Sequence, residues 1–167
     1  DGSWYEGKFV DGVPMGKGMM TWFDHSECYV GEFYGDYDGR GVVCYGDGNW
    51  YDGEFRGGKK EGHGVHHFGC EDEGHWYVGG FHADKEHGKG TTWKPNGEVE
   101  VSCWEDGFCV GYGACWSRSM DEAFLVDHGR KTARVTLEEA ARIATEIGLP
   151  VPDRSAKPSA TPPELRA

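Results

Sequence analysis

The stretch Tyr51-Asp52-Gly53-Glu54-Phe55-Arg56-Gly57-Gly58-Lys59-Lys60-Glu61-Gly62-His63-Gly64 decides the fold. Tyr51, Gly53 and Phe55 stand at i, i+2 and i+4, which is one face of a β-strand. A residue without Cβ between two rings leaves room for aromatic side chains to lie over it. Gly57-Gly58 supplies turn chemistry. Gly62-x-Gly64 then opens a second strand that ends in Phe68. The stretch predicts a β-hairpin.

The pattern recurs. Tyr-x-Gly-x-Phe is found at Tyr5/Gly7/Phe9, Tyr29/Gly31/Phe33, Tyr51/Gly53/Phe55 and Tyr77/Gly79/Phe81, with start-to-start spacings of 24, 22 and 26. Each copy reaches a Gly-x-Gly, at Gly16/Gly18, Gly39/Gly41, Gly62/Gly64 and Gly88/Gly90. A worn fifth unit has Glu100 and Ser102 in the Tyr and first Gly places, Trp104 in the Phe place, and Gly111/Gly113 at the end. The second strands end in Trp22, Tyr45, Phe68, Trp93 and Trp116. Asp47-Gly48 and Asn96-Gly97 mark turns between units. A fixed period in this range signals a repeat architecture.

These motifs resemble the MORN repeat (membrane occupation and recognition nexus), over residues 4–116. Departures are a one-residue deletion at Gly35, Asp84 in place of a mid-turn Gly, a lengthened Gly69–Gly74 segment and the worn fifth unit. The resemblance implies a mostly β fold: an elongated, single-layer antiparallel hairpin array, curled so that its aromatic face lines a groove. It also implies an adaptor role in cytoskeletal, ciliary or membrane-junction assemblies. The family name raises a phosphoinositide or membrane module as an alternative. A third reading is the regulatory arm of a larger enzyme, since such arrays occur beside phosphoinositide kinase and lysine methyltransferase domains.

Composition agrees with a layer lacking a thick core. Glycine is 28 of 167 residues, against a background of roughly 7%. Leucine occurs only at Leu125, Leu137, Leu149 and Leu165, and isoleucine only at Ile143 and Ile147. With a net charge of −12, such aliphatic poverty usually signals disorder. The seven tryptophans argue instead that rings do the packing. All seven lie between Trp4 and Trp116, and the net charge of −12 falls within residues 1–116, the rest summing to zero, so a composition boundary falls near 117. The acidity argues against nucleic acid, which needs a basic face. It likewise disfavours an anionic bilayer. No run is long and apolar enough to span a membrane. Asp1-Gly-Ser-Trp4 has no signal-peptide character, and the missing initiator Met points to a processed chain or a fragment.

Beyond the array, Ala123–Val126 and Ala133–Val135 read as short strands about a His128-Gly129 turn. Thr136 and Glu139 form a capping box. Leu137, Ala140, Ala141, Ala144 and Ile147 make one apolar stripe, Glu138 and Arg142 an i,i+4 pair, and Gly148 and Pro150 a stop. A helix over 137–147 is therefore expected. It either caps the last hairpin or docks on another chain. The domain reading is an array over 1–116, a hairpin and capping helix over 117–148, and an extended, mobile, Pro-rich tail over 149–167.

No catalytic constellation is read. The Gly-x-Gly pairs open no helix and do not continue as phosphate-binding loops, so their glycines are structural. His63, His66, His67, His75, His82 and His87 with Cys70 and Glu71–Glu73 lack metal-ligand spacing, and His66 and His67 point to opposite faces. Neither metal nor cofactor is expected. Six cysteines form no framework and suggest reduced thiols in a cytosolic setting. The ladder Tyr5, Phe9, Tyr29, Phe33, Tyr51, Phe55, Tyr77, Phe81 and Trp104 remains. Its rings either pack as a substitute core or line a groove some ~45 Å long, enough for about 14 extended residues or about 30 helical ones. The charge favours a basic or amphipathic protein segment as partner. Nothing in the sequence specifies an oligomeric state.

Overall fold

The computed structural model describes residues 2–22, 27–69, 74–159 and 162. Twelve strands form one antiparallel sheet in strict sequence order. They are β1 (Trp4–Val10), β2 (Val13–Thr21), β3 (Glu27–Tyr34), β4 (Asp36–Tyr45), β5 (Trp50–Arg56), β6 (Lys59–Phe68), β7 (His75–His82), β8 (Lys85–Trp93), β9 (Val99–Glu105), β10 (Phe108–Trp116), β11 (Ala123–Asp127) and β12 (Arg130–Val135). One helix, α1 (Leu137–Ile147), follows. The sheet is thus a single meander, as the repeat implies. The predicted composition boundary near 117 is not a break in the sheet, because β11 pairs with β10 and the meander simply gains a sixth hairpin.

The registers explain the motif. One transverse row of directly paired residues is glycine through eight strands: Gly7, Gly18, Gly31, Gly41, Gly53, Gly64, Gly79 and Gly90. Each tyrosine ring lies flat over the glycine pair of its own hairpin. A Cβ on Gly53 would stand 2.4 Å from the Tyr51 hydroxyl, and one on Gly64 2.4 Å from its ring. The first glycine of each Gly-x-Gly does different work. Gly16, Gly39, Gly62, Gly88 and Gly111 all have positive φ, from 65° to 97°. They lie where each hairpin slips register, and the left-handed residue absorbs the bulge. Gly113 packs against the Val101 carbonyl and Ser102.

At that slip each tyrosine hydroxyl donates to the carbonyl three residues on, Tyr29 to Glu32 at 3.0 Å, Tyr51 to Glu54 at 3.1 Å and Tyr77 to Gly80 at 3.1 Å. The phenol thus satisfies a backbone acceptor that the interrupted ladder leaves over. Five of the six hairpin turns carry positive φ at both central residues, Asp11-Gly12, Gly57-Gly58, Ala83-Asp84, Asp106-Gly107 and His128-Gly129, while Gly35 alone turns β3 into β4 at φ 83°. The two-residue form is the geometry whose twist matches that of the strands. Asp84 therefore substitutes for glycine in the left-handed region, and its carboxylate accepts from the Lys60 N–H at 2.9 Å.

Helix α1 keeps its expected bounds. Thr136 and Glu139 form the reciprocal capping box, and Gly148 closes the helix at φ 81°. The helix packs on β9, β10 and β11, so it caps this chain's own array. Its docking stripe differs from the expected one. Ala140 and Ala144 are buried with Ile143 beside them, whereas Leu137 is exposed. Arg142 pairs with Glu146 at 3.7 Å, not with Glu138. Between Leu149 and Ser159 the tail touches the rest of the chain through Leu149, Lys157 and Ser159, with Pro152 buried and a 3-10 turn at Arg154–Ala156. Its remaining residues, apart from Pro162, lie outside the described ones.

Gly53→Ala should lower unfolding free energy by about 2–3 kcal/mol, since neither the buried ring nor the facing backbone has room to yield. Tyr51→Phe should cost about 1 kcal/mol, one hydrogen bond. Gly12→Asn, where nothing lies within 4 Å and φ is 80°, should stay within about 0.5 kcal/mol of the parent in urea titrations.

Candidate functional site

Alternation along each strand divides the side chains between two faces of the sheet. The first carries the tyrosine ladder. Its rings run Phe9, Tyr5, Phe33, Tyr29, Phe55, Tyr51, Phe81, Tyr77 and Trp104, each in contact with the next. Centroids are 4.8–5.4 Å apart and the planes cross at 74–90°. Edge-to-face geometry sets the positive ring edge against the negative face. These rings are the core of the array. Tyr29 and Tyr51 are 0% exposed and Tyr77 1%, and Phe33, Phe55 and Phe81 are buried. The expected open groove along the ladder is therefore filled by the ladder itself. Only Phe9, at the N-terminal end, is exposed, with Tyr5 and Trp104 half-buried.

A second, half-buried layer lies over the ladder: Met20, Trp22, Tyr37, Tyr45 and Phe68. Tyr37 stacks on Tyr29 at 3.8 Å and meets Trp22 edge-on at 5.9 Å. Phe68 contacts His66 at 3.8 Å and His75 at 4.3 Å. These rings retain open surface on this face. Sequence reading noted Trp22, Tyr45 and Phe68 only as strand ends. The spacing from the second glycine assigns the face. Trp22, Tyr45 and Phe68 stand four residues after Gly18, Gly41 and Gly64 and share the ladder's face. Trp93 and Trp116 stand three after Gly90 and Gly113 and point the other way.

The surroundings of this shelf are negative. Burial pushes the Tyr45 hydroxyl up to about 12, and the carboxylates of Glu27, Asp84 and Asp47 push the same way. Tyr37 is raised by burial and by Asp36 and Glu27. Lys60, 8% exposed, threads between Tyr45 and Tyr51 with its ammonium 5.2 and 5.1 Å from their centroids. Burial pulls its pKa down to about 8 against the opposing pull of Asp84 and Glu86. Its Nζ lies 3.3 Å from His66 Nε2. His66 is held neutral, chiefly by burial and next by Lys60.

The second face carries a row that the sequence reading missed. Directly paired residues run Trp4, Thr21, Cys28, Cys44, Trp50, His67, Trp76, Trp93, Val99, Trp116, Ala123 and Val135 across all twelve strands. The available signal was the residue before each repeat tyrosine, or before its replacement Glu100: Trp4, Cys28, Trp50, Trp76, Val99. Nearer the N-terminus the same face holds a recess of about 350 Å³ lined by Lys17, Val30, Glu32, Arg40, Val42 and Asp52.

His66 and His67 do point to opposite faces, His67 lying between Trp50 at 5.7 Å and Trp76 at 4.7 Å. His63, His82 and His87 are exposed, and His82 pairs with Glu61 at 3.1 Å. Cys70 and Glu71–Glu73 lie outside the described residues. Among the described residues no group of three His, Cys, Asp or Glu side chains could hold a metal ion.

His66 makes stability pH-dependent. Its folded pKa lies below its unfolded value of 6.5, so the unfolded chain gains a proton first as pH falls. Stability should drop by about 1–2 kcal/mol between pH 6.5 and 5 in urea titrations, and His66→Leu should flatten that slope.

The MORN repeat family model matches residues 5–27, 51–69, 77–99 and 102–119. No curated protein matches the chain. The matched segments begin at or near the repeat tyrosines Tyr5, Tyr51 and Tyr77 and at Ser102 of the worn unit, whose glycine row and ring ladder have been traced above. The chain belongs to the MORN-repeat family.

Proposed function

We propose that this protein is a non-catalytic scaffold that binds a basic, amphipathic segment of another protein on the ring shelf over its tyrosine ladder. MORN repeats are a non-catalytic repeat type and generally serve as protein- or membrane-binding scaffolds. The observation that carries the reading is the half-buried layer Trp22, Tyr37, Tyr45 and Phe68, set among the carboxylates of Glu27, Asp36, Asp47 and Asp84. Amphipathic rings with open surface suit protein interfaces. Carboxylates beside them steer and orient a cationic partner. The apolar side of such a segment would lie on the rings and its Lys and Arg side chains on the acidic border. Among the described residues no helix is long and apolar enough to cross a membrane. The family resemblance supports a cytoskeletal, ciliary or membrane-junction setting for the scaffold.

The test is fluorescence anisotropy with a labelled amphipathic Lys/Leu peptide of about 18 residues, five turns of helix. Saturable binding should weaken at least tenfold in Tyr45→Ala/Phe68→Ala, and should fall as salt rises. The double variant should keep a cooperative melt. Equal binding by the double variant, or binding only to phosphoinositide vesicles, overturns the proposal.

A further inference from the structure

The second face is covered at its C-terminal end by two different things. Helix α1 covers Trp116 and Ala123 through Ala140 and Ala144. Beside it, Trp76, Trp93 and Val99 form a separate buried cluster. The segment after the helix lies against this cluster. Leu149 joins the helix cluster and Pro152 is buried. Asp153 then turns the chain by accepting from the Ser155 N–H at 3.1 Å and its hydroxyl at 2.9 Å. Lys157 places its ammonium 3.8 Å from the Trp76 ring centroid. The Trp76 indole N–H donates to the Ser159 carbonyl at 3.4 Å.

This is a recognition geometry as much as a packing one. A lysine over an indole face is a cation–π contact. A proline after that lysine forces it into extended backbone. A tryptophan N–H donating to a carbonyl of an extended, proline-bearing segment is how aromatic grooves read such peptides. Nothing in these two contacts needs the segment to belong to the same chain. The row also holds polar atoms that the described residues leave unanswered. Trp93 Nε1 and both ring nitrogens of His67 are buried, and among the described residues none has a hydrogen-bond partner. His67 is 1% exposed and Trp93 8%. A buried donor without a partner costs free energy that a ligand carbonyl could recover.

We propose that the His67–Trp76–Trp93 row is a binding site for an extended Lys-Pro-bearing segment of a partner protein, and that residues 150–159 occupy it in cis. The site is separate from the ring shelf and on the opposite face of the sheet. A tethered segment competes at an effective concentration of roughly millimolar, so the partner binds only when the tail leaves. The tail thereby masks the row.

The probe is a fluorescein-labelled peptide of residues 150–162, titrated against the full chain. Lys157→Ala removes the cationic contact in cis while leaving the sheet and helix intact. This variant should bind the peptide at least tenfold more tightly than the unmutated chain, and its amides at 155–159 should exchange faster. Adding Trp76→Phe should then cost fivefold or more, because the indole N–H and the better cation-binding face are both lost. Replacing the peptide's lysine with glutamate should abolish binding. Tyr45→Ala/Phe68→Ala should leave this affinity unchanged, which separates failure here from failure of the ring-shelf reading. The proposal is overturned if Lys157→Ala binds no peptide at 1 mM, if Trp76→Phe makes no difference, or if Lys157→Ala instead forms dimers that exchange tails.

Discussion

A phenol lying flat on two facing glycines is the contact on which the array depends. It needs a paired position with no Cβ on either strand, and the aligned glycines from Gly7 to Gly90 supply it in each of the first four hairpins. The same tyrosine also satisfies the backbone. Its hydroxyl reaches the carbonyl left over where the hairpin slips register, and the slip in turn requires the left-handed glycine at the head of Gly-x-Gly. Ring, glycine pair and bulge therefore form one mechanical unit. Changing any of the three removes the reason for the other two.

Where the unit lapses, the chemistry changes with it. In the fifth hairpin Glu100 stands in the tyrosine place and Ser102 in the glycine place. Glu100 is buried and accepts from Lys94 at 2.5 Å and from the Ser102 hydroxyl at 3.3 Å. A charged pair fills the space that a ring fills elsewhere. The ladder ends at Trp104, and support passes to the opposite face, where α1 docks Ala140, Ile143 and Ala144. The return of Leu and Ile after residue 117 is that change of packing mode, carried by a sheet that continues without interruption.

Much of the fold was legible because period-2 alternation and turn chemistry are local. Tyr51/Gly53/Phe55 fixed a face, Gly57-Gly58 a turn, and Thr136/Glu139 a helix start. The site was less legible because burial is a property of neighbours. Tyr51 looks the same in sequence whether it lines a groove or lies beneath Phe55 and Phe81, and the distance to those rings decides it. The row through Trp50 and Trp76 escaped notice because each member sits beside a stronger signal and on the other side of the strand. The tail's contacts lay beyond what composition can show. Prolines predict an absence of helix and strand, and they say nothing of whether an indole such as Trp76 stands ready to receive a lysine.

The coverage of the sheet is lopsided. β1 has only Tyr5 partly shielded, and Phe9 and Val10 are bare. The other margin, β12, bears Arg130, Lys131 and Arg134, charges that discourage strand addition, and α1 with the following segment clamps the strands beside it. In a one-dimensional array each hairpin is held by its neighbours alone, so the least-supported unit opens first. In mechanical terms the molecule is a spring with one fixed end. Tension applied across it would be taken up hairpin by hairpin from β1, while the tryptophan-rich end keeps its shape.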